Sequence, residues 1–204
     1  MKIVCLKELF DVRKFRPSYE QKEKFKRLDQ YDLNYWKLYL AAIEDVSGKK
    51  IEDLIVLDLG CGAKRNSHPT DYRKEDEGKG EFDSFQPYLC RAIHLMGGRA
   101  IGIDFGNLSD EPFEHYEKDL TEPNCLDNFS SNSIDVVVER AFFSSPSLIH
   151  HNFITKSLLP QVDRIVKPNG FFLYEDIGPF VYQAILTSEV IQRFSQRYNS
   201  GDKK

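Results

Sequence analysis

A short apolar segment early in the chain is bounded by charged residues on one side and by glycine on the other. It reads DLIVLDLG at residues 53–60. Apolar residues at consecutive positions predict a strand buried on both faces, which is typical of a parallel sheet covered by helices. Cys61 and Gly62 follow and complete a glycine-rich turn. Glycine lets a backbone bend tightly and approach a ligand closely, so this turn is a candidate binding loop.

Four more strand-like segments follow along the chain. Segments with apolar residues at helical spacing lie between several of them. They read RAIGIDFG at 99–106, EHYEKDL at 114–120, SIDVVVER at 133–140 and FFLYED at 171–176. Strands that alternate with helices predict a mostly parallel sheet between two helix layers. The fold class expected is therefore a doubly wound α/β domain.

The domain organisation follows from length and charge. A chain of 204 residues fits one domain. We expect a helical N-terminal extension at 1–49 and the α/β domain at 50–204, with a polar insert at about 64–83. Residues 1–27 hold nine Lys or Arg against four Asp or Glu, while the whole chain carries −4. A nucleic-acid contact through this basic arm is an alternative, but a solvated helix face is favoured.

Cysteine usage and hydropathy indicate the compartment. The four cysteines contain no CxxC pair, so neither a metal site nor a disulfide framework is predicted. No signal peptide or long apolar run is present. We expect a cytoplasmic protein with reduced thiols and no membrane partner.

Acidic residues stand at the ends of the predicted strands, where ligands bind in such sheets. Asp58 lies beside the glycine turn, and Asp104 ends the second strand. An acid at the glycine turn would repel a pyrophosphate, which prefers free N–H groups and cations. A ligand with a ribose and a positive charge fits better, and S-adenosylmethionine has both. A nicotinamide-dependent dehydrogenase is disfavoured because the turn lacks the third glycine of its fingerprint.

Five segments in order resemble the class I S-adenosylmethionine-dependent methyltransferases. They are VLDLGCGAK, AIGIDFG, EKDL, NSIDVVVERAFF and LLPQVDRIVKPNGFFLYED, which together span about residues 50–176. The resemblance implies a Rossmann-like sheet that binds S-adenosylmethionine. It also implies a set of cofactor-binding residues: Gly60 and Gly62 at the methionine end, Asp58 at its amino group, Asp104 at the ribose, Asp119 and Leu120 at the adenine, and Glu139 near the methionine or the methyl acceptor.

The chain also departs from the family pattern. Lys64 stands where a further glycine is usual, and the residues after Asp176 read as helix. We therefore expect five strands ordered 3-2-1-4-5, without the usual C-terminal β-hairpin. No catalytic base is evident, which agrees with direct in-line methyl transfer. The alternative is a catalytically inactive cofactor-binding or interaction protein of the same fold. The acceptor and the oligomeric state stay open.

Overall fold

The computed structural model describes residues 1–5, 17–31, 33, 35–63, 86–140 and 154–174. These residues form one six-stranded sheet with helices packed on it. The predicted insert at 64–83 and the predicted absence of a C-terminal hairpin lie outside the described residues. The strands are β1 (Lys2–Cys5), β2 (Ile55–Leu59), β3 (Arg99–Asp104), β4 (Glu114–Glu117), β5 (Ile134–Glu139) and β6 (Val166–Tyr174).

Every strand pairing in the sheet is parallel, and the spatial order is β1-β6-β5-β2-β3-β4. β2 therefore lies in the middle, with β3 on one side and β5 on the other. A chain that crosses from the central strand first to one side and later to the other creates a crevice at the strand ends. The glycine loop follows β2, so the fold places it at this crevice.

Four α-helices lie among the described residues: α1 (Tyr19–Lys24), α2 (Trp36–Ser47), α3 (Tyr88–Leu95) and α4 (Leu159–Ile165). Short 3₁₀ helices occupy Phe25–Tyr31 and Ile51–Asp53, and a π-helical turn at Ile154–Leu158 leads into α4. A capping box starts α1: Gln21 N donates to the Ser18 hydroxyl oxygen (3.1 Å) and Ser18 N donates to Gln21 Oε1 (2.9 Å). Gly48 ends α2 in the left-handed conformation (φ 65°).

Side chains alternate between two cores on the two faces of the sheet. Val56 and Val136 pack with α2 and α3 on one face. Leu57 and Val137 pack with α4 on the other. Both faces of the central strands are thus buried, as the apolar run at 53–60 predicts. None of the helices in the described ranges is long and apolar enough to cross a membrane.

The doubly wound, Rossmann-like α/β fold class is confirmed, but the expected number of five strands is wrong. The five predicted strands, β2 to β6, keep the order 3-2-1-4-5. A sixth strand, β1, pairs parallel with β6 beyond the fifth. The N-terminal extension therefore contains a strand as well as helices. The stretch KIVCL at residues 2–6 is strand-like in sequence, but the sequence did not show that it joins the sheet, because β1 has only four residues and its partner β6 lies at the other end of the described chain.

Candidate functional site

The glycine loop begins where β2 ends and is hydrogen-bonded to the neighbouring strand β3. Gly60 and Gly62 both have positive φ angles, 66° and 91°. The N–H groups of Gly60 and Cys61 both donate to the carbonyl of Ile103, at 2.9 and 3.1 Å. A side chain would strain the backbone at either glycine because L-residues rarely adopt this region. The two glycines of the sequence motif therefore have a local structural cause.

Asp104, the last residue of β3, is hydrogen-bonded to this loop. Its Oδ2 accepts a hydrogen bond from Gly62 N (3.0 Å), and its Oδ1 accepts one from Gly106 N (3.0 Å). The residue is almost fully buried. Each oxygen of a carboxylate can accept more than one hydrogen bond, so Asp104 can hold the loop and also accept from a ligand hydroxyl.

Asp58 is fully buried on the face of the sheet that carries α3. Its Oδ2 accepts from Arg140 Nη2 at 3.3 Å and from the Cys90 thiol at 3.9 Å. Burial raises the pKa of Asp58, while the adjacent guanidinium of Arg140 offsets part of that shift. Asp58 Oδ1 is also buried, and no donor reaches it from the residues that the structure describes. A buried acceptor left in this way is costly unless another group satisfies it.

Arg140 is the functional candidate that the sequence reasoning did not select. It directly follows β5 and its guanidinium carbon lies 4.1 Å from the ring centre of Trp36 and 5.9 Å from that of Tyr39. Burial alone would lower its pKa, but the charge of Asp58, the hydrogen bond to it, and the nearby Tyr39 and Cys90 together outweigh burial, and the pKa is raised. The sequence feature that could have identified Arg140 is its position directly after a predicted strand. Its partner Trp36, however, lies on α2, far away in sequence.

The other predicted site residues occupy two places. Glu139 ends β5, is fully buried, and stands opposite Leu59 in the strand register. Asp119 follows β4 and is exposed; its Oδ1 accepts from the Thr121 N–H (2.8 Å) and hydroxyl (2.7 Å). Leu120 is buried in the core on the α4 face. Hydrogen bonds thus join Asp58, Arg140 and Cys90 in one group, and Gly62 and Asp104 in another.

Two buried thiols, Cys61 of the loop and Cys90 of α3, lie close to β3. Both sulfur atoms approach Gly102 of β3: a Cβ there would lie 2.9 Å from Cys61 Sγ and 3.3 Å from Cys90 Sγ. Burial raises the pKa of both thiols, so they remain protonated and are poor nucleophiles. Across the described ranges, no group of three His, Cys, Asp or Glu side chains could hold a metal ion.

The chain is similar to solved structures, but not to any curated sequence. No protein-family model and no curated protein matches the sequence. The crystal structure of the trans-methyltransferase CalH in complex with SAH is similar to this chain at a TM-score of 0.33 and 16% identity. The likeness covers 68% of this chain and 39% of that one. The fold assignment itself rests on the direction and order of the strands.

Proposed function

We propose that this chain is an S-adenosylmethionine-dependent methyltransferase whose acceptor is still to be identified. The observation that carries the proposal is the hydrogen bond from Gly62 N to Asp104 Oδ2 (3.0 Å). It joins the glycine loop after the central strand to the acid that ends the next strand. This junction lies at the crevice where doubly wound sheets bind ligands.

The residues fit an adenosyl ligand with a positively charged end. Asp58 Oδ1 is a buried acceptor that an ammonium group would satisfy. Asp104 would accept from the ribose hydroxyls. Asp119 and Leu120, after the next strand, would contact the adenine. Glu139 would lie near the methionine end or the acceptor.

The charges of the site favour the same class of ligand. Asp58, Asp104 and Glu139 are all buried, and Arg140 is their cationic neighbour through its bond to Asp58. Acids that outnumber cations in a water-poor crevice favour a cationic ligand over a pyrophosphate, because charge interactions strengthen as the local dielectric falls.

The chemistry asks little of the protein beyond binding and alignment. When bound, S-adenosylmethionine supplies a methyl group already activated by its sulfonium. The glycine loop and the strand-end acids would fix the ligand and limit access of water. Alignment of this kind can contribute up to ~7–11 kcal/mol for well-oriented reactants. A general base is therefore not required by this mechanism.

The first prediction concerns cofactor binding. Calorimetric titration should show binding of S-adenosylmethionine and S-adenosylhomocysteine in the micromolar range, with no comparable binding of NAD. Asp104→Ala should weaken both affinities by at least about tenfold, because hydrogen bonds to a charged group contribute about 1.5–3 kcal/mol. Asp127→Ala is the matched control, since Asp127 is an exposed acid that pairs only loosely with Arg164 (3.7 Å).

Absence of binding at millimolar concentrations of both adenosyl ligands would contradict the proposal. Binding that persists unchanged in Asp104→Ala would place the ligand elsewhere. Binding without methylation of any acceptor pool would instead support the inactive cofactor-binding alternative.

A further inference from the structure

Asp58 and Arg140 form an ion pair, but they make fewer hydrogen bonds than their side chains allow. A guanidinium and a carboxylate commonly pair through two parallel hydrogen bonds. Here a single bond, 3.3 Å long, joins Arg140 Nη2 to Asp58 Oδ2. Asp58 Oδ1 and Arg140 Nε are both buried, and neither finds a partner in the part of the chain that the structure describes. The pair therefore presents one unused acceptor and one unused donor, both buried.

Aromatic rings hold Arg140 independently of Asp58. The guanidinium lies over the face of Trp36 (4.1 Å to the ring centre), with Tyr39 at 5.9 Å. Cations are attracted to such faces, and the attraction strengthens when the pair is desolvated. Trp36 in turn packs against Tyr39 (5.1 Å between ring centres). Arg140 can thus keep its place while its remaining donors turn to a ligand.

The chemistry of the unused atoms selects the ligand group. A ligand with only a cation would satisfy Asp58 and leave Arg140 Nε without an acceptor. A ligand with only an anion would satisfy Arg140 but face the buried acids Asp58 and Glu139. A group that carries an ammonium and a carboxylate on one carbon satisfies both atoms at once. That group is the zwitterionic end of an α-amino acid.

We propose that Asp58 and Arg140 together bind an α-amino acid group, with the ammonium at Asp58 Oδ1 and the carboxylate at Arg140 Nε. The inference rests on the proposed function, because it assigns the amino acid end of the adenosyl ligand to this pair. It adds Arg140 as the residue that recognises the carboxylate. It also gives Trp36 of the N-terminal helix α2 a positioning role at the site.

The wild-type protein tests this with three ligands that share the adenosine and differ in their tails. S-adenosylhomocysteine has both charged groups, its decarboxylated analogue keeps only the ammonium, and methylthioadenosine has neither. Calorimetry should show that decarboxylation weakens binding by about 10–100-fold, as expected for loss of a charge-assisted hydrogen bond. Removal of the whole amino acid group should weaken binding further.

Substitution of Arg140 completes a cycle between protein and ligand. In Arg140→Gln, S-adenosylhomocysteine should bind about 10–100-fold more weakly, while the decarboxylated analogue should change by less than about threefold. Arg140→Lys keeps the charge but loses the planar fork, so its affinity for S-adenosylhomocysteine should lie between those of the wild type and Arg140→Gln. Arg99→Gln is the matched control, because Arg99 is an exposed arginine at the amino end of β3 that pairs with Glu114.

Trp36 supplies a second signal that does not depend on turnover. It is the only tryptophan of the sequence, and its ring contacts the guanidinium of Arg140. Its emission should shift when S-adenosylhomocysteine binds and should shift less with methylthioadenosine. The shift should be lost in Arg140→Gln, as the ring no longer contacts a cation whose hydrogen bonds change.

The outcomes separate this inference from the proposed function. Equal wild-type affinity for S-adenosylhomocysteine and its decarboxylated analogue would overturn the role of Arg140 and leave the cofactor assignment intact. If Arg140→Gln weakened the binding of S-adenosylhomocysteine and of its decarboxylated analogue equally, the role of Arg140 would also be overturned, because Arg140 would then act only through Asp58. If none of the adenosyl ligands binds, the proposed function fails together with the inference. If Arg140→Gln does not fold, the wild-type ligand series decides the question alone.

Discussion

Single buried charges in this chain are held by partners that no local pattern reveals. Asp135, near the start of β5, is an example at the end of the sheet opposite the site. Its carboxylate accepts from Lys167 Nζ (2.7 Å), Lys49 Nζ (3.0 Å) and Ile55 N (3.1 Å). Burial raises the pKa of Asp135, but these three donors outweigh burial and the pKa lies below its usual value. The ionised form of Asp135 therefore stabilises the folded state.

The lowered pKa of Asp135 determines how the stability of the protein changes with pH. Because the folded-state pKa is lowered, the stabilisation is present above the unfolded-state pKa of about 4 and is lost as pH falls through the folded-state value. Asp135→Asn should lower the free energy of unfolding by about 1–3 kcal/mol at pH 7. Urea unfolding at pH 7, 5 and 3 should show this difference shrinking below about pH 4. Asp127→Asn, an exposed control, should change stability by less than about 0.5 kcal/mol.

A difference between wild type and Asp135→Asn that stays constant from pH 7 to pH 3 would contradict this account. Asp135 would then act through the shape of its side chain and not through its charge.

Sequence reasoning selects residues by their place at the end of their own strand, and it does not find contacts between distant segments. Gly60, Gly62 and Asp104 were selected because each stands at a strand end, and the structure brings Gly62 and Asp104 into contact. Arg140 also follows a strand end, but its contacts are with Asp58 of another strand and with Trp36 of a helix. Such a contact requires the tertiary fold, which periodicity along the chain does not contain.

At the scale of elements, the glycine loop and α3 both press on β3 at Gly102. A Cβ at this residue would lie 2.9 Å from Cys61 Sγ and 2.9 Å from a ring carbon of Phe113. Neighbouring atoms would have to shift, so Gly102→Ala should lower stability by about 1–3 kcal/mol. Cys61 belongs to the glycine loop, and the shift should therefore weaken binding of S-adenosylhomocysteine as well. Urea unfolding and calorimetry measure the two effects.

A double substitution tests the cause. Cys61→Ala removes one of the two closest atoms, so Gly102→Ala should cost less in a Cys61→Ala background than in the wild type. The difference is the coupling free energy of the pair, and contacting residues typically show about 0.5–3 kcal/mol. Additive costs would mean that the loop does not press on Gly102, and the close packing of loop, helix and strand would need another explanation.

At the scale of the whole molecule, the N-terminal helices and the sheet share one core. Phe25, Leu28 and Leu40 belong to the same buried cluster as Val56 and Val136 of the central strands. β1 also pairs with β6 at the edge of the sheet. The division into an extension at 1–49 and a domain at 50–204 stays a prediction. Composition marked the basic start of the chain, but it could not show which apolar residues there face the sheet.

A shared core predicts that the chain unfolds as one cooperative unit. Trp36 lies in that core on α2 and is the only tryptophan, so its emission reports on the N-terminal part, while circular dichroism reports on all helices and strands. The two signals should give the same urea midpoint, as two-state unfolding requires. Leu40→Ala, at a fully buried position of α2, should lower stability by about 2–5 kcal/mol and move both signals together. Leu38→Ala, at an exposed position of the same helix, should move neither by more than about 0.5 kcal/mol. A Trp36 transition that precedes the circular dichroism transition would instead show that residues 1–49 unfold separately, and the ring contact between Trp36 and Arg140 would then be too weak to couple α2 to the candidate site.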